Sequence, residues 1–214
     1  MIREEYQAEG WQFPFVIYRP EEMSEDLPLV VQLHGAGEAG DGGEELWKAD
    51  KSGFSRILSQ GKDYRCIFVM PQCTRESFWA VEVLNIHSFI QKVVETFPVD
   101  PKRIYLTGFS MGGMGTWFTA IRFPKTFAAI APICGRGMTG RRASFLDMPI
   151  WVFHGVDDNI VSPTESLEMI QYIRTAGCNP CEVKLTMLDH MGHNVWDYAY
   201  NEELLEWLLA QRRE

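Results

Sequence analysis

The sequence predicts an α/β fold, a mostly parallel central sheet flanked by helices on both faces, and three observations point to it. Short apolar runs recur along the chain, each followed by a turn and then by a segment of helical periodicity. Most of these runs are continuously apolar rather than alternating, as parallel strands covered on both sides must be. With 214 residues, 46% of them hydrophobic and 23% charged, the chain can bury the core that such a layered fold needs. A single domain over residues 1–214 is expected, since domains commonly run to ~100–200 residues and α/β domains somewhat beyond. No internal repeat, low-complexity tract or long linker divides the chain.

The elements follow in order. Phe13 to Tyr18 alternates less cleanly than the rest, and Pro14 and Pro20 suit an antiparallel edge, where a missing N–H costs least. Parallel strands are predicted over Leu27 to Leu33, Cys66 to Met70, Arg103 to Thr107, Ala128 to Ile133, Ile150 to Phe153 and Val183 to Leu188. A helix over Val81 to Phe97 puts Val83, Ile86, Ile90, Val93, Val94 and Phe97 on one stripe, and Pro98 closes it. A second helix runs from Ser110 to Arg122 and stops before Pro124. Ser162-Pro163-Thr164-Glu165 is a capping box with proline at the first helical position, opening a helix that ends near Gly177. The last helix, Val195 to Leu209, repeats Trp196, Tyr200, Leu204, Trp207 and Leu208 at helical spacing.

Charge and cysteine content narrow the function classes. With 20 Lys+Arg against 29 Asp+Glu, the net charge of −9 disfavours a nucleic-acid partner. No apolar run approaches the ~20 residues of a membrane span. The segment Met1 to Gln7 has neither an apolar core nor a cleavage site, so no signal peptide and no membrane partner are expected. Five cysteines, an odd number, suggest reduced thiols and a cytoplasmic setting. Cys178-Asn-Pro-Cys181 has redox or zinc spacing, but a second ligand pair is missing and Gly177 and Pro180 mark a turn, so two thiols in a turn are expected and no metal. Cys66 and Cys134 fall in apolar runs and read as core.

In a doubly wound sheet, chemistry belongs at the carboxyl ends of the strands. There the run Arg103 to Thr107 leads into Gly108-Phe-Ser110-Met-Gly112, a serine on a strand-to-helix turn whose flanking glycines remove Cβ atoms that would clash. A serine hydroxyl needs a base, and the base needs an acid to orient it. The run Ile150 to Phe153 leads into His154-Gly-Val-Asp157-Asp158, and Val183 to Leu188 leads into Asp189-His190-Met-Gly192-His193. Nucleophile, acid and base therefore stand at strand ends in the chain order that a serine hydrolase on such a sheet uses. Asp158, deeper in its loop, is preferred to Asp157. His193, on a loop loosened by Gly192, is preferred to His190. His87, on a helix, is taken as structural.

The run Leu27 to Leu33 leads into His34-Gly-Ala-Gly-Glu-Ala-Gly40, which also spells a dinucleotide-binding glycine pattern. The glycines continue through Gly42 and Gly43, and the next strand ends in Val69-Met70-Pro71 with no acid for a ribose. A loop whose backbone N–H groups face the serine is the better reading, with Ala36 and Met111 as oxyanion donors and no cofactor. Trp79 and Trp196 are candidates for lining a sugar or aryl pocket, core packing being the alternative for each.

Taken together, His34-Gly-Ala-Gly-Glu38, Arg103 to Gly115, His154-Gly-x-x-Asp158 and Gly192-His193-x-x-Trp196 resemble the α/β-hydrolase superfamily. More narrowly the chain is similar to small serine esterases grouped with polyhydroxybutyrate depolymerases, feruloyl esterases and "predicted peptidases". The resemblance implies the α/β-hydrolase fold and a triad of Ser110, Asp158 and His193. It supports His193 through the Trp three residues on. It also implies a small-molecule or polymer-linked ester as substrate, with a serine peptidase or a non-catalytic binding relative as alternatives. Only Gly135 to Met148 separates Ile133 from Pro149, too short for a lid domain, which favours short acyl or aryl esters. Arg136, Arg141 and Arg142 on that segment are read as solvated, with a contact to an anionic substrate as the alternative.

Overall fold

The computed structural model describes residues 1–140, 145, 147–175 and 183–214. Its strands are β1 (Ile2–Tyr6), β2 (Phe15–Arg19), β3 (Leu27–Leu33), β4 (Ile67–Pro71), β5 (Val99–Phe109), β6 (Ala129–Ile133), β7 (Ile150–Gly155) and β8 (Val183–Leu188). They form one sheet in the order β1-β2-β4-β3-β5-β6-β7-β8. Only the β1–β2 and β2–β4 pairings are antiparallel; the others are parallel. The helices are α1 (Ser55–Leu58), α2 (Val83–Thr96), α3 (Met111–Arg122), α4 (Pro163–Arg174), α5 (Trp196–Ala199) and α6 (Glu202–Ala210), with 3-10 turns at Ala36–Glu38 and Gly43–Lys48.

The continuous apolar strands are explained by two cores, one on each face. In β3, Leu29, Val31 and Leu33 pack with Ile86, Phe89 and Ile90 of α2, Trp117 of α3 and Ile170 of α4. Val30, between them, points to the opposite core of Phe68, Tyr105, Phe153, Ile57 of α1 and Leu204 and Leu208 of α6. Alternate side chains thus face opposite layers, and a polar residue on either face would be buried without water. Cys66 and Cys134 are buried, as their apolar surroundings suggest. His87 stacks on Phe123 with ring centroids 3.8 Å apart.

Three expectations are corrected. The run predicted as an edge is β2, an interior strand; β1, which the sequence did not announce, covers it. Pro14 and Pro20 bracket β2 rather than interrupt it, and the Pro14 carbonyl accepts from the Gln72 amide at 2.8 Å. The long final helix is broken at Tyr200 and Asn201 into α5 and α6. There Arg56 donates to the carbonyls of Asp197 (2.8 Å) and Tyr200 (3.3 Å), and the Asn201 side chain caps α6 by accepting from the Leu204 amide at 2.9 Å. The strand predicted over Arg103 to Thr107 extends to Val99–Phe109, with an irregular register between Leu27 and Leu29 where it meets β3.

The carboxyl ends of the central strands lie level. Leu33 pairs with Gly108, Phe109 with Ile133, Ile133 with Phe153 and Gly155 with Leu188. His34, leaving β3, is only 1% exposed. The Cys73 amide donates to its Nε2 (2.9 Å), so the ring proton sits on Nδ1 and is donated to the Gly35 carbonyl (2.6 Å). Burial pushes the His34 imidazole down to about 4.

Two measurements check this packing. A Cβ on Gly112 would stand 2.0 Å from the Leu33 carbonyl oxygen. Gly112→Ala should therefore cost about 1–3 kcal/mol; an unchanged melting temperature would refute that close approach. The unfolded chain takes up a proton at His34 near pH 6.5 while the folded chain resists it down to about 4, so this contribution is present above ~6.5 and is lost as pH falls. Urea unfolding should show wild type losing about 2 kcal/mol more than His34→Gln between pH 7 and pH 5. Parallel losses in the two proteins would contradict the assignment.

Candidate active site

Ser110 links β5 to α3 with φ 55° and ψ −112°. That conformation is sterically costly for a residue with a Cβ, by about 1–3 kcal/mol. It persists because both sides are tied down. The Ser110 amide donates to the Ile133 carbonyl (2.8 Å) and its own carbonyl accepts from Met114 (3.0 Å). A Cβ on Gly108 would lie 2.3 Å from the Gly112 oxygen, so only glycine lets the chain fold back so closely.

The loops after β7 and β8 bring their side chains to this hydroxyl. His193 Nε2 lies 2.7 Å from Ser110 Oγ, and His193 Nδ1 lies 2.7 Å from Asp158 Oδ2. Asp158 Oδ1 accepts from the amides of Ile160 (2.9 Å) and Val161 (3.0 Å). Burial works to raise the Asp158 carboxyl, but the hydrogen bond from His193 and those two amides outweigh it and hold the group below its usual range. The charged carboxylate leaves the imidazole proton on Nδ1 and Nε2 free to accept from the serine. Asp157 and His190 are both exposed, and His190 occupies the turn after β8 with φ 61°. The His193 ring rests on Phe109 (centroids 4.9 Å), which Trp196 meets edge-on at 4.8 Å.

The two proposed oxyanion donors come from neighbouring strand ends, since Leu33 and Gly108 are register partners. Ala36 opens a 3-10 turn and Met111 opens α3, so neither amide has a carbonyl of its own helix to donate to. Gln72, wholly buried, holds the preceding loop by donating to the carbonyls of Glu38 and Glu45 (3.0 Å each) and accepting from the Gly42 amide (3.0 Å).

Trp79 is corrected. It is fully buried, and its indole donates to the His34 carbonyl at 3.0 Å, so it supports the loop from beneath instead of lining a pocket. Trp196 is half-buried beside Phe109. Arg136 faces Glu165 of its own chain at 3.5 Å. Arg141, Arg142, Cys178 and Cys181 lie outside the described residues. The sequence assigned no role to Gln72, although a polar residue directly after a buried strand was a signal available there; Cys134 reads as core and His154 only as part of the His-Gly motif.

Among the described residues, Cys134, Asp158 and His193 each bring a metal-ligand atom within 4.8 Å of the others. The His193–Asp158 hydrogen bond already occupies that space, and burial pushes the Cys134 thiol up to about 12, so it carries its proton. Hollows of about 200 and 350 Å³ lie near Leu27, Arg65 and Arg103, at the amino ends of the strands. The seven residues of β3 set them about 20 Å from Ser110. No helix among the described residues is long and apolar enough to cross a membrane.

Residues 15–202 match the phospholipase/carboxylesterase family. The chain is similar to a bifunctional acetylxylan esterase/xylanase of Neocallimastix patriciarum, 27% identical over 150 residues, which is 68% of this chain and 21% of that protein. It is also similar to a poly(3-hydroxyalkanoate) depolymerase C of Paucimonas lemoignei, 30% identical over 54% of this chain and 30% of that one. A crystal structure of a thermostable esterase superposes with a TM-score of 0.82 at 29% identity, covering 99% of this chain and 63% of that one. The chain thus spans less than a third of the length of these two curated relatives. The chain belongs to the phospholipase/carboxylesterase family, esterases built on the α/β-hydrolase fold.

Proposed function

We propose that this chain, as one domain, hydrolyses carboxylic esters through an acyl-enzyme on Ser110. The observation that carries the reading is the relay from Ser110 Oγ to His193 Nε2 and from His193 Nδ1 to Asp158, both steps at 2.7 Å. Neutral His193 takes the serine proton as Oγ attacks the ester carbonyl, and Asp158 stabilises the imidazolium that forms. The amides of Ala36 and Met111 hold the tetrahedral oxyanion. His193 then returns its proton to the leaving alcohol, and water activated by the same ring releases the acid.

The substrate class follows from the surroundings. Phe78, Met138, Val156 and Ile160 are exposed on segments that follow β4, β6 and β7, at the serine's end of the sheet. They favour an ester with an apolar acyl or aryl group. The short connection between β6 and β7 leaves the site accessible to esters carried on sugars or polymers, the substrates named for the two curated relatives. A reducing, cytoplasmic setting is supported by the buried free thiols of Cys66, Cys73 and Cys134.

Nitrophenyl esters of rising chain length, assayed beside acetylated and feruloylated sugars, test the reading. Acetyl to butyryl esters should be cleaved faster than chains of twelve carbons, and Ser110→Ala should lose ~10⁴-fold or more in turnover and all labelling by a fluorophosphonate. Near-normal cleavage by that variant would reject Ser110 as nucleophile. Ala36→Pro removes one N–H at a first helical position, after a Gly35 whose ψ of 176° tolerates a following proline. It should lower kcat by ~10²–10³ with little change in KM; an unchanged kcat would remove Ala36 from the oxyanion site.

A further inference from the structure

Behind Asp158 lies a second imidazole for which the mechanism so far has no use. His154, in β7, is completely buried. Its Nε2 is 3.2 Å from Asp158 Oδ2, the oxygen that also receives His193, and 3.0 Å from the Val161 carbonyl. Its Nδ1 is 2.7 Å from the hydroxyl of Ser166, a buried residue of α4. Both neighbours of Nε2 are acceptors, because Asp158 is held in its charged form. Nε2 must therefore carry a proton. The Ser166 hydroxyl, free to rotate, is placed to donate to Nδ1.

We infer that His154 is a positioning residue, whose Nε2–H fixes the Asp158 carboxylate against His193 through a hydrogen-bond chain anchored at Ser166. The inference rests on the proposed roles of Ser110, His193 and Asp158. With His154 in place, each Asp158 oxygen accepts two donors: Oδ1 from the amides of Ile160 and Val161, Oδ2 from His154 and His193. The carboxylate cannot rotate without breaking one of these bonds inside a buried site.

The other groups around Asp158 are accounted for. Cys134, from the end of β6, keeps its proton and is a further, weak S–H donor to Asp158, and His193 comes from the loop after β8. Glu165, next to Ser166 on α4, faces Arg136 at 3.5 Å.

Removing the donor in His154→Phe should lower kcat by about 10–100-fold per fluorophosphonate-labelled site, with KM changed little. His154→Gln, which retains an N–H, should recover most of the rate, which a merely space-filling role would not allow. A labelled His154→Phe enzyme with wild-type kcat would overturn the inference and leave the roles of Ser110 and His193 intact. Nitrogen-15 histidine spectra of the wild-type enzyme decide the matter even if that variant fails to fold. One ring, assigned through its loss in His154→Gln, should carry a proton on Nε2; a proton on Nδ1 alone would overturn it. Wild-type enzyme that takes up no fluorophosphonate would remove Ser110, and the inference with it.

Discussion

The positive backbone angle at Ser110 is the constraint that the neighbouring structure serves. A serine held at φ 55° stores strain that an isolated loop would release. Here β5, paired on both sides by β3 and β6, cannot shift, and α3 is packed against Leu33 and Ile133 so closely that glycine is required where they meet. The turn has no lower-energy shape available without breaking the sheet centre. A hydroxyl raised on a rigid turn forms its bond to His193 with little ordering left to do.

Strand ends that lie level do the rest. Because Phe109, Ile133 and Phe153 are register neighbours, the segments that follow them emerge side by side, and each supplies one part: the serine, the buried thiol, the carboxylate. The electrostatics are local. Asp158 is buried, yet it stays ionised because hydrogen-bond donors, not a cation, surround it. Such an arrangement keeps a charged carboxylate against the His193 ring.

Much of this was legible in the sequence where the signal is local. Leu27–Leu33 and Val183–Leu188 agree with the apolar runs that announced them, and the α4 boundary follows its capping box, with the Thr164 amide donating to Ser162 Oγ. Strand β1 was hidden because Arg3, Glu4 and Glu5 break any apolar run; it exists through pairing with β2 and the stacking of Tyr6 on Phe15 at 4.7 Å. The break at Tyr200 depends on Arg56, a residue far away in the chain. Choosing between adjacent acids needed orientation: Asp158 turns inward while Asp157 faces solvent, and spacing alone does not say which. Trp79 was misjudged for the same reason, since lying near the mouth in sequence does not fix the direction of the indole.

The sheet's outermost strand on one side, β8, exposes part of every residue, whereas β3, β4 and β6 are buried throughout. His193 hangs from that border strand and Ser110 from the interior. Edges of this kind open more readily than centres. Heating would then part His193 from Ser110 as the rim frays, with the interior of the molecule still folded.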